Sequence, residues 1–169
     1  MQTYLKSLVP SLGKKCFIDL FGYTTKGIPG LEIIGLGKRG KLLKEKVIFL
    51  TRSLQVEVPH RRYVLCFDDE RLLELGVDDF RNLELPVLIL FWSLAGVIPF
   101  RKLDDCCSLG RFNIRGEIEP VCVALVDYEE GKNFKWIVPR DSNIGEQIIF
   151  PLEDILASLG QKDLAYSSR

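Results

Sequence analysis

The stretch from Gly27 to Lys46, GIPGLEIIGLGKRGKLLKEK, constrains the fold more than any other part of this chain. Gly27 and Gly30 flank Ile28-Pro29 and predict a tight turn, Leu31 to Ile34 an apolar strand, and Gly35 to Gly40 an entry into a helix that carries Lys41, Lys44 and Lys46. This is a strand-to-loop-to-helix switch. Gly35, Gly40 and Lys41 also fall on the G-x-x-x-x-G-K skeleton of a phosphate-cradling loop. The following residue breaks that pattern. Magnesium-dependent phosphoryl transfer needs a hydroxyl there to hold the metal, and Leu42 has none.

Around this switch, 169 residues predict one domain over residues 1–160 and a loose tail over 161–169. A hydrophobic fraction of 47% with 27% charged residues is that of a soluble globular protein, and a net charge of zero removes whole-molecule attraction to nucleic acid or anionic lipid. A charged partner must then be read by a local patch. The five cysteines form no C-x-x-C pair, and an odd number fits a disulfide framework poorly, so reduced thiols in a cytoplasmic protein are expected. No secretory leader follows Met1, and the apolar run Pro86 to Phe100 is shorter than the ~20 residues that span a bilayer. That run reads as a buried helix, and no membrane association is expected.

In chain order, Thr3 to Val9 and Cys16 to Phe21 read as strands joined through Pro10 to Gly13, and Leu31 to Ile34 follows as a third neighbouring strand. Leu42, Leu43, Val47, Leu50 and Leu54 recur near helical spacing between Lys38 and Gln55, predicting an amphipathic helix on that sheet. Tyr63 to Phe67 is an apolar strand, Gly76 to Asn82 a connector, and Leu83 to Ile98 the core helix, with Pro86 in its first turn. Leu109 to Ile114 with the region near Glu117 suggests a hairpin. Pro120 to Glu130 reads as a helix, Phe134 to Val138 and Gln147 to Phe150 as strands, and Leu152 to Leu159 as a closing helix.

These elements, in this order, resemble the magnesium-chelatase-subunit-I-like N-terminal domain of the ComM/YifB family, whose members are hexameric AAA+ ATPases implicated in DNA branch migration. GIPGLEIIGL at Gly27 to Leu36 is similar to the family's NGLPGFxIVGL, and Glu84-Leu85-Pro86 to its Asp-Leu-Pro opening of the core helix. Leu109 to Val121 is similar to its VGELxLxGxLRPV hairpin, and Trp136 to Pro139 and Ile149 to Leu152 to its late strands. The resemblance implies a two-layer α/β (α+β) sandwich of the ribosomal-protein and Lon-peptidase-domain type, with a left-handed β-α-β crossover. It implies a DNA-processing context, in branch migration, recombination or competence. Gly37 and Lys38 stand where the family has Pro-Asp, Cys66 to Asp69 replace its NLAPAD stretch, and the AAA+ motor is absent from this chain.

Peptidase chemistry in the Lon-like fold needs a serine at the start of the core helix and a lysine on the helix after Pro120. This chain has Leu85 and Pro86 at the first position and no lysine before Lys132 at the second, so the expectation is a pseudoenzyme with no catalytic residues. His60 is the only histidine and builds no zinc site alone; Cys106 and Cys107, adjacent on a strand, point to opposite faces and poorly serve a shared metal or redox role. No cofactor and no metal are expected. The candidate binding residues are Lys38, Arg39, Lys41 and Lys44, within a basic run that continues through Lys46, Arg52, Arg61 and Arg62. Backbone N–H groups at a helix start with clustered lysines suit phosphate contact without sequence readout. A solvated helix face is the plainer alternative, and an enzyme acting on a phosphorylated ligand or nucleotide at the Gly35 to Lys41 loop is another. Expected partners are DNA, an AAA+ motor in trans, or further copies of the chain, since acidic runs at Asp68 to Glu74, Asp78-Asp79 and Asp104-Asp105 could oppose the basic face.

Overall fold

A computed structural model of the chain describes residues 1–100, 102–123, 134–145, 149–151, 153–157 and 159. Strands β1 (Gln2–Leu8), β2 (Phe17–Thr25), β3 (Gly30–Ile34) and β4 (Arg62–Phe67) precede β5 (Cys106–Ser108), β6 (Lys135–Val138) and β7 (Ile149–Pro151). They form one mixed sheet in the order β3-β4-β2-β1-β5-β6-β7. Helices α1 (Arg39–Ser53), α2 (Val77–Arg81) and α3 (Glu84–Leu94) belong to the α/β fold, and residues 153–157, within the predicted closing helix, are helical as well. Pairing is antiparallel for β1 with β2 and β2 with β4, and parallel for the other neighbours.

The first three strands are therefore not consecutive neighbours, contrary to the expectation from sequence. β4 inserts between β2 and β3. Burial explains the choice: Tyr63, Val64, Leu65 and Phe67 are all buried, as suits an interior strand, whereas β3 exposes Glu32 and Ile34 and takes the edge. In β2 the period-two pattern sends Ile18, Leu20 and Gly22 to the core and leaves Asp19, Phe21 and Tyr23 exposed.

α3 is buried along its whole length, from Glu84 to Leu94, and packs against β1, β2, β4 and β5. An apolar helix with no polar face must lie inside the domain. It is shorter than the Leu83 to Ile98 reading because Gly96, at φ 71°, closes it: Val97 N donates to Trp92 O and Gly96 N to Ser93 O. The expected connector Gly76 to Asn82 contains the short α2, and a 3-10 turn at Glu70–Glu74 precedes it. α1 buries Gly40, Leu43, Val47, Leu50 and Thr51, and of the predicted apolar face Leu42, at 68%, and Leu54, at 37%, are instead exposed.

α1 ends in the same hydrogen-bond motif as α3, with Val56 N donating to Thr51 O and Gln55 N to Arg52 O. Here the left-handed residue is Gln55, at φ 55°, where α3 uses glycine. A side chain at that conformation costs about 1–2 kcal/mol. Gln55→Gly is therefore expected to raise stability, by up to about 1 kcal/mol once the greater freedom of glycine in the unfolded chain is subtracted. Urea denaturation would show it as a higher midpoint at unchanged slope.

Two apolar clusters lie on opposite faces of the sheet. The larger gathers α1, α3 and the inward residues of β1 to β5; the smaller holds Leu8, Cys16, Cys107, Leu109, Trp136, Val138 and Ile144. The predicted hairpin is present as an antiparallel bridge between Phe112 and Ile118. The predicted helix at Pro120 to Glu130 is not helical over 120–123, where Cys122 bridges Asn143 in parallel; 124–130 lie outside the described residues, as do Gln147 and the tail 161–169.

Candidate phosphate-binding surface

Four residues, Gly35 to Lys38, connect the end of β3 to the start of α1. Gly35, at φ 100°, has no room for a side chain, because an added Cβ would stand 2.1 Å from Phe67 O at the end of β4. Its glycine is thus demanded by backbone contact between neighbouring segments. Gly40 and Lys41 are already helical, and their N–H groups donate to Gly37 O and Lys38 O. Two of the donors a phosphate loop would offer are turned inward to close the first turn.

The basic run separates into residues that face solvent and residues that hold the fold. Lys38 and Lys41 are exposed, and their ammonium groups have no hydrogen-bond or ion-pair partner among the described residues. Lys44 is half-buried near Glu32 at the β3 edge. Arg39 is spent on structure. Its guanidinium donates to Leu75 O at 2.7 Å, Leu72 O at 3.1 Å and Leu73 O at 3.3 Å, and lies 4.2 Å from the centre of the Phe80 ring. It ties the segment after β4 to the start of α1.

Lys46 is likewise internal. Its ammonium pairs with the Glu84 carboxylate at the start of α3, donates to Phe112 O at 3.0 Å and lies 5.1 Å from the centre of the Phe112 ring. The other Glu84 oxygen, Oε1, is buried without a hydrogen bond, and Arg81 Nε stands 3.5 Å from it. Arg62 grips Glu32 with two hydrogen bonds of 3.0 Å. Those bonds, and to a lesser degree the charge of Lys44, hold the Glu32 carboxyl below its ordinary range. Arg52 and Arg61 are exposed, but at the far end of α1. The eight cations of the run therefore do not form one patch.

The acidic runs are partly neutralised as well, by Asp69 with Arg71, Asp78 with Arg111 and Asp105 with Lys135. At the start of α3, Leu85 and Pro86 are buried, and Ser93 Oγ donates to Phe100 O at 2.6 Å inside the core. That hydroxyl is a packing group. Lys132 lies outside the described residues. Cys106 enters the larger cluster and Cys107 the smaller, so the adjacent thiols do face opposite ways. Burial pushes Cys106 up to about 12, helped by the hydrogen bond to Asp105, and raises Cys107 far above the usual thiol range. Neither forms the reactive thiolate at neutral pH. His60 is exposed on the loop before β4, and no three metal-ligating side chains cluster among the described residues.

Sequence reasoning missed the apolar pair on α1. Leu42 and Phe49, seven positions apart, stand exposed on one side of the helix next to Lys41. It also assigned Lys46 to the surface, although Glu84, an acid heading an otherwise apolar helix, was a visible sign that some cation must be buried beside it. No protein-family model matches this chain, and no curated protein matches it. No helix among the described residues is long and apolar enough to cross a membrane.

Proposed function

We propose that this chain is a non-enzymatic binding and assembly module of the ComM-like kind, working in the cytoplasm beside a DNA-processing motor supplied in trans. The observation that carries the reading is the solvent face at the start of α1, where Lys38 and Lys41 stand without partners. Two unpaired lysines there hold a polynucleotide backbone by charge, with no base readout, and Lys44 adds to the field from the β3 edge. Arg39 supports the contact only by fixing the helix. The β3-α1-β4 unit, two adjacent parallel strands joined through a helix, supports a Lon-like fold, and the finer proposal is that this crossover is left-handed. The five free cysteines suit a reducing compartment. An enzyme acting on a phosphorylated ligand is disfavoured by the short Gly35 to Lys38 connection and the inward N–H groups of Gly40 and Lys41.

Binding of a labelled oligonucleotide, followed by fluorescence anisotropy, is expected to be weak and indifferent to sequence. It should fall steeply with salt, and each lysine removed should lower the salt slope by about 1. Lys38→Glu with Lys41→Glu should abolish it. If the parent protein binds no oligonucleotide at low salt, the polynucleotide reading fails. A second reading, contact with a protein subunit, is favoured by the exposed Leu42 and Phe49. It gains if Leu42→Glu with Phe49→Glu changes the sedimentation of the protein, alone or with a motor, while leaving oligonucleotide binding intact.

A further inference from the structure

At the opposite end of α1 from Lys38 and Lys41, the last turn of the helix, the start of β3, the loop before β4 and Phe91 of α3 line an open pocket of about 310 Å3. Its inner wall is apolar, formed chiefly by Leu31, Ile48, Val56, Val58 and Phe91. Tyr63 stands among them, edge-on to Phe91 with ring centres 5.1 Å apart. Its hydroxyl donates to Pro59 O at 2.8 Å and so pins the loop that forms the rim.

The charge on this cavity has one sign. Arg52 and Arg61 line it, with the His60 ring beside them, and no aspartate or glutamate does. Neither guanidinium has a hydrogen-bond or ion-pair partner among the described residues, in contrast to Arg39, Arg62 and Arg71. The end of a helix ordinarily presents bare carbonyls that repel an anion. Here Leu54, Gln55 and Val56 donate their N–H groups to the carbonyls of Leu50, Arg52 and Thr51 and blunt that repulsion. Thr51 Oγ1 is likewise occupied, donating to Val47 O and accepting from Trp92 Nε1. The charged groups open to a ligand are the guanidiniums of Arg52 and Arg61, both on exposed residues.

We propose that this cavity binds a small organic anion, with the apolar body against Leu31, Ile48 and Phe91 and the carboxylate held at the mouth by Arg52 and Arg61. The volume lies at the small end of the range that ligand pockets occupy, roughly 300–1,000 Å3, so the body is short. A planar carboxylate suits guanidinium groups, whose paired donors match its two oxygens.

The probes that test this are octanoate, octanol and inorganic phosphate, each titrated into the full chain and followed by calorimetry and by amide shifts of residues around the cavity. Octanoate should bind at least tenfold more tightly than octanol, which lacks the charge, and than phosphate, which lacks the body. Arg52→Gln with Arg61→Gln, both at exposed positions, should weaken octanoate at least tenfold and leave octanol unchanged. Ile48→Trp, which fills the cavity, should remove octanoate binding while the far-ultraviolet circular dichroism stays as in the parent. Equal affinity for octanoate and octanol, undiminished binding in the double arginine variant, or no octanoate binding at all would each overturn the proposal. The proposed polynucleotide contact lies at the other end of α1, so the outcome for either site is independent of the other.

Discussion

Trp92→Ala is expected to lower the unfolding free energy by about 3–5 kcal/mol, the range for deleting a large aromatic side chain from a packed core. Trp92 is wholly buried in the last turn of α3, and its indole N–H donates to Thr51 Oγ1 at 3.1 Å, joining the core helix to α1. Truncation leaves a void between the two helices and removes the hydrogen bond that joins them there. Against a domain stability of about 5–15 kcal/mol, the loss is a large part of the whole. Chemical denaturation should show a lower midpoint at a nearly unchanged slope. A variant that unfolds like the parent would remove Trp92 from the centre of the core.

A loss of similar size is expected for Lys46→Met. Glu84 then keeps a carboxylate in the core with Arg81, 3.5 Å away at Nε, as its remaining cation. Breaking one side of a buried ion pair costs about 3–5 kcal/mol, whereas replacing both sides by apolar groups is often neutral or stabilising. Lys46→Met with Glu84→Leu should therefore recover most of what the single variant loses. A double variant as unstable as the single one would mean that the loss comes from packing around Phe112 and not from an orphaned charge.

Both residues illustrate what was legible in the sequence. The strands at β1, β2, β3 and β4 and the helices α1 and α3 lie within a few residues of their predicted ranges, because period-two burial and helical spacing are local patterns. Local patterns do not say which strands become neighbours. β4 lies between β2 and β3 because it is apolar on both faces while β3 is not, a comparison between distant segments. The same limit governs the site. Lys38 and Lys41 face solvent as expected, but Arg39 is bound by carbonyls from Leu72 to Leu75 and Lys46 by Glu84, partners far along the chain. A run of like charges shows where cations are in sequence, and only the fold shows which of them are already used. The cavity beneath Arg52 and Arg61 draws on four separate segments, which leave no contiguous motif to read.

The position of β1 has a consequence for the order in which the protein can be made. Among the described strands it is synthesised first, yet its second edge is closed by β5, which follows β4, α2 and α3 in the chain. Domains fold as the chain emerges, so β1, β2, β3 and β4 can close over α1 and α3 while that edge is still bare. Lys6, which meets Cys107 across the finished pair, then sits on an open strand edge. Such an edge invites pairing with a neighbouring chain, and a lysine on it is one of the devices that discourage this. The interval between the arrival of α3 and of Cys106 to Ser108 is thus the time at which nascent copies of this protein are most prone to exchange strands.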